Sequence, residues 1–234
     1  STVNGVLQEN KYDIDGIRDR KTDKNGNTAI EYPIGYMTTA SRPRNASSNA
    51  PKISYIQGPN GFLGYEEDGQ MRYFVLDALQ SVTNIVDSSK NVVQSYQYDE
   101  WGNHMSGSGT GSVQSPKTYW GGLSVNDETA DTGLYLAGHR FFDPKLGRFI
   151  SRDPIGHSGG LNLYALGANN PVTFTDHTGL KPVLGPIARE KLGEDFVRAW
   201  NDAVARARRR WERFGQEPFR NLWSGSGLSI TIRL

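Results

Sequence analysis

The sequence contains no cysteine. A disulfide framework and any thiolate-bound metal are therefore excluded. A chain without thiols suits passage between oxidising and reducing spaces. No apolar run approaches the roughly 18 residues that a membrane-crossing helix needs. No basic segment followed by a short apolar core opens the chain, so it is not expected to carry its own signal peptide. The first residue is Ser rather than Met, which we read as a processed product or part of a longer chain. Histidine is scarce. His104, His139, His157 and His177 have no metal-ligand spacing with one another, so no metal and no cofactor is expected.

Glycine and aromatic residues are present in quantity. The 234 residues include 27 Gly, and aromatics make up 11%. Hydrophobic content is only 36%. That balance favours many short strands with tight turns over long helices. Net charge is +1 but uneven: residues 1–180 hold 15 Lys/Arg and 19 Asp/Glu, and residues 181–234 hold 11 and 6. A charge break that coincides with a change of texture marks a boundary just after Leu180.

Tyr12–Tyr32 opens with Tyr-Asp, has a turn at Gly16, and has a second at Asn25-Gly26-Asn27. Asn-Gly between strand-like runs is a strong hairpin signal, because both residues must tolerate positive φ. The pattern partly recurs at Tyr98-Asp99-Glu100-Trp101-Gly102-Asn103. Strands are expected at Lys52–Gln57, Met71–Leu76, Val82–Val86 and Val92–Tyr98, with turns at Glu66–Gly69 and Asp87–Lys90. Their regular spacing predicts an extended antiparallel sheet. Arg42–Ala50 and Gly102–Ser115 are polar and read as surface loops. Asn45-Ala46-Ser47 is a formal glycosylation sequon of little weight. In the tail, Leu192, Phe196, Trp200, Ala203, Ala207, Trp211 and Phe214 recur at helical spacing and predict an amphipathic helix, followed by a short terminal strand.

The densest stretch runs from Thr118 to Leu180. It contains Gly133-Leu134-Tyr135, Arg140-Phe141-Phe142-Asp143-Pro144, Gly147-Arg148-Phe149, Ser151-Arg152-Asp153-Pro154-Ile155-Gly156, Leu161-Asn162-Leu163-Tyr164 and Asn169-Asn170-Pro171-Val172. Asp176 and Gly179-Leu180 close it. Together with the Tyr-Asp stretches upstream, this resembles the Rhs-associated core of Rhs/YD-repeat proteins, such as bacterial Rhs toxins and the C subunits of insecticidal Tc toxins. The resemblance implies a mainly β fold, with many short antiparallel strands forming part of a hollow shell. It implies a strand region over 1–117, the core over 118–180, and a variable tail over 181–234.

By the same resemblance, Asp153 and Asp176 pair as an aspartyl autoprotease that cuts between Leu180 and Lys181. Two carboxylates held close share one proton. The ionised one can activate water while the other donates to the scissile carbonyl. An intramolecular substrate adds a proximity advantage of up to roughly 7–11 kcal/mol. Arg152 is expected to orient Asp153 or to lower its pKa. The family's second motif usually has Pro after the Asp, whereas this chain has His177, a change that bears on turn stiffness rather than chemistry. The alternative for both aspartates is turn formation, since Asp-x-x-Gly is a turn former in its own right.

The functional expectation is a secreted or cell-surface shell unit, exported by a dedicated system. Its partners are the rest of a shell or further copies of itself, with its own tail as cargo. A non-catalytic, self-assembling or adhesive module is the first alternative. A carbohydrate-binding surface protein, using residues such as Trp101 and Trp120, is the second; strand Tyr and Trp, however, are more often cross-strand packing residues. The basic run Arg206, Arg208, Arg209, Arg210, Arg213 is read as a helix face, and nucleic-acid binding is not expected.

Overall fold

A computed structural model describes residues 8–44, 52–109, 111 and 113–185, together with single positions 193, 198, 202 and 206. The chain divides into two compact units, Ser1–Ala188 and Arg189–Leu234. The tail helix, the terminal strand and the sequon lie outside the described residues, apart from those single positions. So does the basic run, except Arg206.

The regular structure of the first unit is almost wholly antiparallel strand. A nine-stranded meander runs in sequence order through β1 (Glu9–Tyr12), β2 (Arg18–Thr22), β3 (Thr28–Ile34), β4 (Met37–Pro43), β5 (Ile53–Gly58), β6 (Gly61–Glu67), β7 (Gln70–Leu76), β8 (Val82–Asp87) and β9 (Val92–Ser95). A four-stranded sheet follows: β10 (Asn126–Glu128), β11 (Leu134–Ala137), β12 (Arg140–Asp143) and β13 (Arg148–Phe149). A single helical turn, α1 (Thr129–Thr132), joins β10 to β11. The last pair is β14 (Phe174–Thr175) with β15 (Val183–Leu184).

One turn makes four of the eight connections of the meander and recurs after β9. At Asp13, Asp23, Asp77, Asp87 and Asp99 the aspartate Oδ1 accepts the backbone N–H groups two and four residues on. The fourth position of each turn has positive φ, as at Gly26 (84°) and Lys90 (69°). In three of these turns the fifth residue is Asn27, Asn91 or Asn103, whose side-chain amide donates to the second carboxylate oxygen. The Tyr-Asp signal in the sequence is thus a strand end followed by a self-capping turn. Strand β9 ends at Ser95 rather than Tyr98, because the Ser95 carbonyl accepts from Gly109 N, and the intervening chain folds back over that edge.

Alternation decides which face is buried. On β6 alternation is interrupted: the pairing runs from Ile56↔Gly64 to Gln57↔Phe62 and leaves Leu63 as an exposed extra residue, so Phe62 and Tyr65, three apart, are both buried. Tyr65, Val82, Ile85 and Tyr96 form one apolar cluster. A second gathers Tyr119, Trp120, Tyr135, Phe142, Phe149 and Leu166, with Tyr98 packed against both. The Tyr119 and Trp120 rings stack with centroids 4.8 Å apart, and those of Tyr135 and Phe142 are 5.0 Å apart. Offset aromatic pairs of this kind add about 0.5–1.5 kcal/mol each beyond burial.

Polar groups join the two larger sheets. Arg18 on β2 pairs with Glu31 on β3 at 2.7 Å and with Glu128 on β10 at 2.6 Å, and all three are buried. Lys117 is fully buried, and its Nζ donates to Asn126 Oδ1 at 2.7 Å and to the carbonyl and hydroxyl oxygens of Ser124. The same ammonium lies 4.6 Å from the centre of the Tyr55 ring.

Candidate active site

The turn after β14 resembles those of the meander in its fourth and fifth positions, but among the described residues no bond from the N–H two residues on is among its contacts. Asp176 Oδ1 accepts Leu180 N at 3.1 Å, Gly179 N donates to the Asp176 carbonyl, and Gly179 has φ +67°. Two more features set it apart. Oδ1 also accepts Lys181 N, at 3.1 Å. The second oxygen faces Arg140 rather than an asparagine. Asp153 likewise accepts Ile155 N through Oδ1, at 3.0 Å, and turns Oδ2 to the same guanidinium.

Arg140 is the hub. It lies on β12, where alternation buries it beside Phe142. Its Nη2 is 3.0 Å from Asp153 Oδ2 and 3.3 Å from Asp176 Oδ2. Nη1 donates to the Leu163 carbonyl at 2.9 Å, and Nε donates to the Gly179 carbonyl. The guanidinium lies 3.6 Å from the centre of the Phe149 ring. A fork held at every nitrogen and stacked on an aromatic face is a rigid reference for two carboxyls.

The Leu180–Lys181 peptide lies between the aspartates. Its N–H points at Asp176. Its carbonyl oxygen faces the space beside Gly159: a Cβ there would be 2.7 Å from the Leu180 oxygen and 2.3 Å from Asp153 Oδ2. The peptide is thus held at its N–H by Asp176, while its carbonyl oxygen and Asp153 Oδ2 both border the gap at Gly159. The turn is fixed to the β11–β12 hairpin, since the Thr178 carbonyl accepts both His139 N and His139 Nδ1. His177 packs against Tyr36 with ring centroids 5.3 Å apart.

Burial pushes both carboxyl pKa values up. For Asp176 the rise is to about 6: burial dominates, Arg140 opposes it, and the Asp153 charge adds to it. Arg140 opposes the rise at Asp153 too. Two raised carboxyls on one guanidinium make a pair able to hold a single proton near neutrality.

The structure therefore brings together Asp153, Asp176, Leu180 and Lys181. It does not bring Arg152 to them. Arg152 is exposed while its neighbour Asp153 is buried, so the chain sends the two side chains to opposite sides, and the cation on the pair is Arg140. The clue to Arg140 in the sequence was its place in Arg140-Phe141-Phe142: a charge on the same strand face as a core Phe needs buried counter-charges. Trp120 is fully buried, and Trp101 packs on Gly147 and against the aromatic cluster, so neither forms a free stacking platform. Among the described residues, no group of His, Asp or Glu could hold a metal ion.

A wide antiparallel meander with self-capping turns, closed by an aromatic-cored plug, defines a wall segment of an Rhs/YD-type shell. The Teneurin YD-shell family profile matches residues 47–172, and the chain belongs to that family. It is 34% identical over 174 residues to the tRNA3(Ser)-specific nuclease WapA of Bacillus spizizenii, covering 72% of this chain and 7% of that protein. It is 48% identical over 52 residues to the toxin subunit YenC2 of Yersinia entomophaga, covering 22% of this chain and 5% of that one. Among solved structures it is similar to TcdB2-TccC3-TEV (25% identical, TM-score 0.55, 74% of this chain and 9% of that one). It is also similar to TcdB2-TccC3 (23% identical, TM-score 0.58, 74% and 9%). The chain thus spans less than a tenth of the length of these relatives.

Proposed function

We propose that this chain is the end of a toxin-type shell wall that cuts itself between Leu180 and Lys181. The observation that carries this reading is the clamp on that one peptide bond. Its N–H is bonded to Asp176, and its carbonyl oxygen and the Asp153 carboxyl border the same gap at Gly159, one too narrow for a methyl group. Water adds to the Leu180 carbonyl carbon and gives a proton to the Asp176 carboxylate. Asp153, carrying the shared proton, donates to the carbonyl oxygen. The tetrahedral carbon then collapses: Asp176 passes its proton to the Lys181 nitrogen that it already contacts, and Asp153 takes back a proton from one hydroxyl, which restores the pair. One water is consumed, leaving a Leu180 carboxyl and a free Lys181 amine.

The remaining partners follow from the edges. The outer edge of β1 pairs with no strand among the described residues, which suits the preceding strand of a larger wall or a second copy. The piece from Lys181 onward is the sequestered cargo or its leading part, and the assembly acts outside the producing cell. Refolding the full chain from denaturant and sequencing any new amino terminus tests the reading. A terminus beginning at Lys181 is expected, and persistence of the uncut chain sinks the proposal.

A second reading is favoured by one observation. Asp153 and Asp176 each accept a backbone N–H of their own turn, as the capping aspartates of the meander do. On that reading they only shape turns, and the chain is a non-catalytic wall module. The refolding experiment separates the two.

A further inference from the structure

Gly159 follows the 3-10 turn Gly156–Ser158 in right-handed backbone, with φ −86° and ψ −18°. Any L-residue adopts that conformation without strain. A glycine here is therefore explained by space rather than by conformation. A Cβ at this position would stand 2.3 Å from Asp153 Oδ2, 3.0 Å from its Cγ and 2.7 Å from the Leu180 carbonyl oxygen. Neither neighbour is free to yield. The Asp153 carboxyl is held by Ile155 N and Arg140, and the Leu180 oxygen belongs to a backbone whose flanking N–H groups are both bonded to Asp176.

We infer that Gly159 is a positioning residue for self-cleavage: its bare Cα leaves the gap through which the Asp153 carboxyl reaches the Leu180 carbonyl oxygen. The inference rests on the self-cleaving reading above. The proton of Asp153 crosses this gap as water adds to the Leu180 carbon. A methyl group in the gap parts donor from acceptor, and misplacement by about 1 Å costs on the order of a hundredfold in rate. Gly179 carries two demands: its φ of +67° is one that other residues rarely adopt, and a Cβ there would stand 2.3 Å from the Ala137 carbonyl oxygen, so substitution there lowers stability as well as cleavage.

The test compares the full-length wild type with Gly159→Ala and Gly159→Val. Cleavage is followed across pH on denaturing gels after refolding. Melting temperatures are measured for the same residues in an Asp176→Asn background, where the chain stays whole. The expected result is that Ala slows cleavage about a hundredfold at every pH without moving the midpoint of the profile. Val abolishes cleavage; both variants melt lower, because the added atoms press on held neighbours, but each stays folded at the refolding temperature. Gly159→Ala cleaving at the wild-type rate overturns the inference and leaves self-cleavage standing. A rate that falls only in step with the melting temperature also overturns it. A wild type that stays whole at every pH overturns the self-cleaving reading, and this inference with it.

Discussion

The aspartate pair is governed by one cation and by burial. Cleavage needs one proton on the pair, so its rate should be bell-shaped in pH. The upper limb should fall as pH rises through about 6, the value to which burial pushes Asp176. Arg140 holds both carboxyls down, so Arg140→Gln should move that limb to higher pH, as read from rates of refolded chain. The same shift bears on stability. Between the ordinary carboxyl value of 3.8 and about 6, the folded chain holds the Asp176 proton more tightly than the unfolded chain does. Stability is therefore lost as pH rises through that window. Asp176→Asn, which cannot titrate, should flatten this part of the curve in denaturant melts. The two aspartates were legible in the sequence through their motifs. Arg140 and Gly159 were not, because pairing across 13 to 36 positions of chain depends on how β12 and the loops after it fold together.

At the scale of elements, the turns and the inter-sheet contacts make separate demands. Asp99 Oδ1 and Oδ2 accept Trp101 N, Asn103 N and the Asn103 amide. Asp99→Ala should cost about 1–3 kcal/mol, the usual penalty for orphaning donors of this kind, read from the denaturant midpoint. Arg18 is a harsher case. Arg18→Met leaves Glu31 and Glu128 facing each other in a buried space and should cost about 3–5 kcal/mol. Four of the hairpins were visible in advance: Gly16 and Asn25-Gly26-Asn27 fall at turns, while of Glu66–Gly69 and Asp87–Lys90 the structure keeps Glu66, Glu67 and Asp87 in strands and turns at the residues after them. β4 and β6 were not foreseen, and Arg42 and Pro43, read as the start of a surface loop, are the paired end of β4; the short strands β10 to β15 were not placed individually. At two to four residues each, they are too brief for alternation to register, and their order comes from the aromatic core that they enclose.

For the whole first unit, the position of the scissile bond has a consequence. Lys181 lies just before β15, which pairs with β14, and Gly185 N donates to the Thr173 carbonyl at 2.8 Å. Leu184 is buried. Cutting at Leu180 therefore leaves the new amino terminus stitched to the sheet. Cut chain should elute as one species in native size exclusion and part only in denaturant. The resemblance read from the sequence pointed to the wall architecture, because its motifs mark turns and core aromatics that any such wall must repeat. The most direct test of self-cleavage is the intact mass of freshly purified chain in denaturant, beside Asp153→Asn and Asp176→Asn. Two fragments meeting at Leu180–Lys181 in the wild type, with one full-length mass in each variant, is the predicted result. One full-length mass in all three, or cutting that persists in either variant, contradicts it.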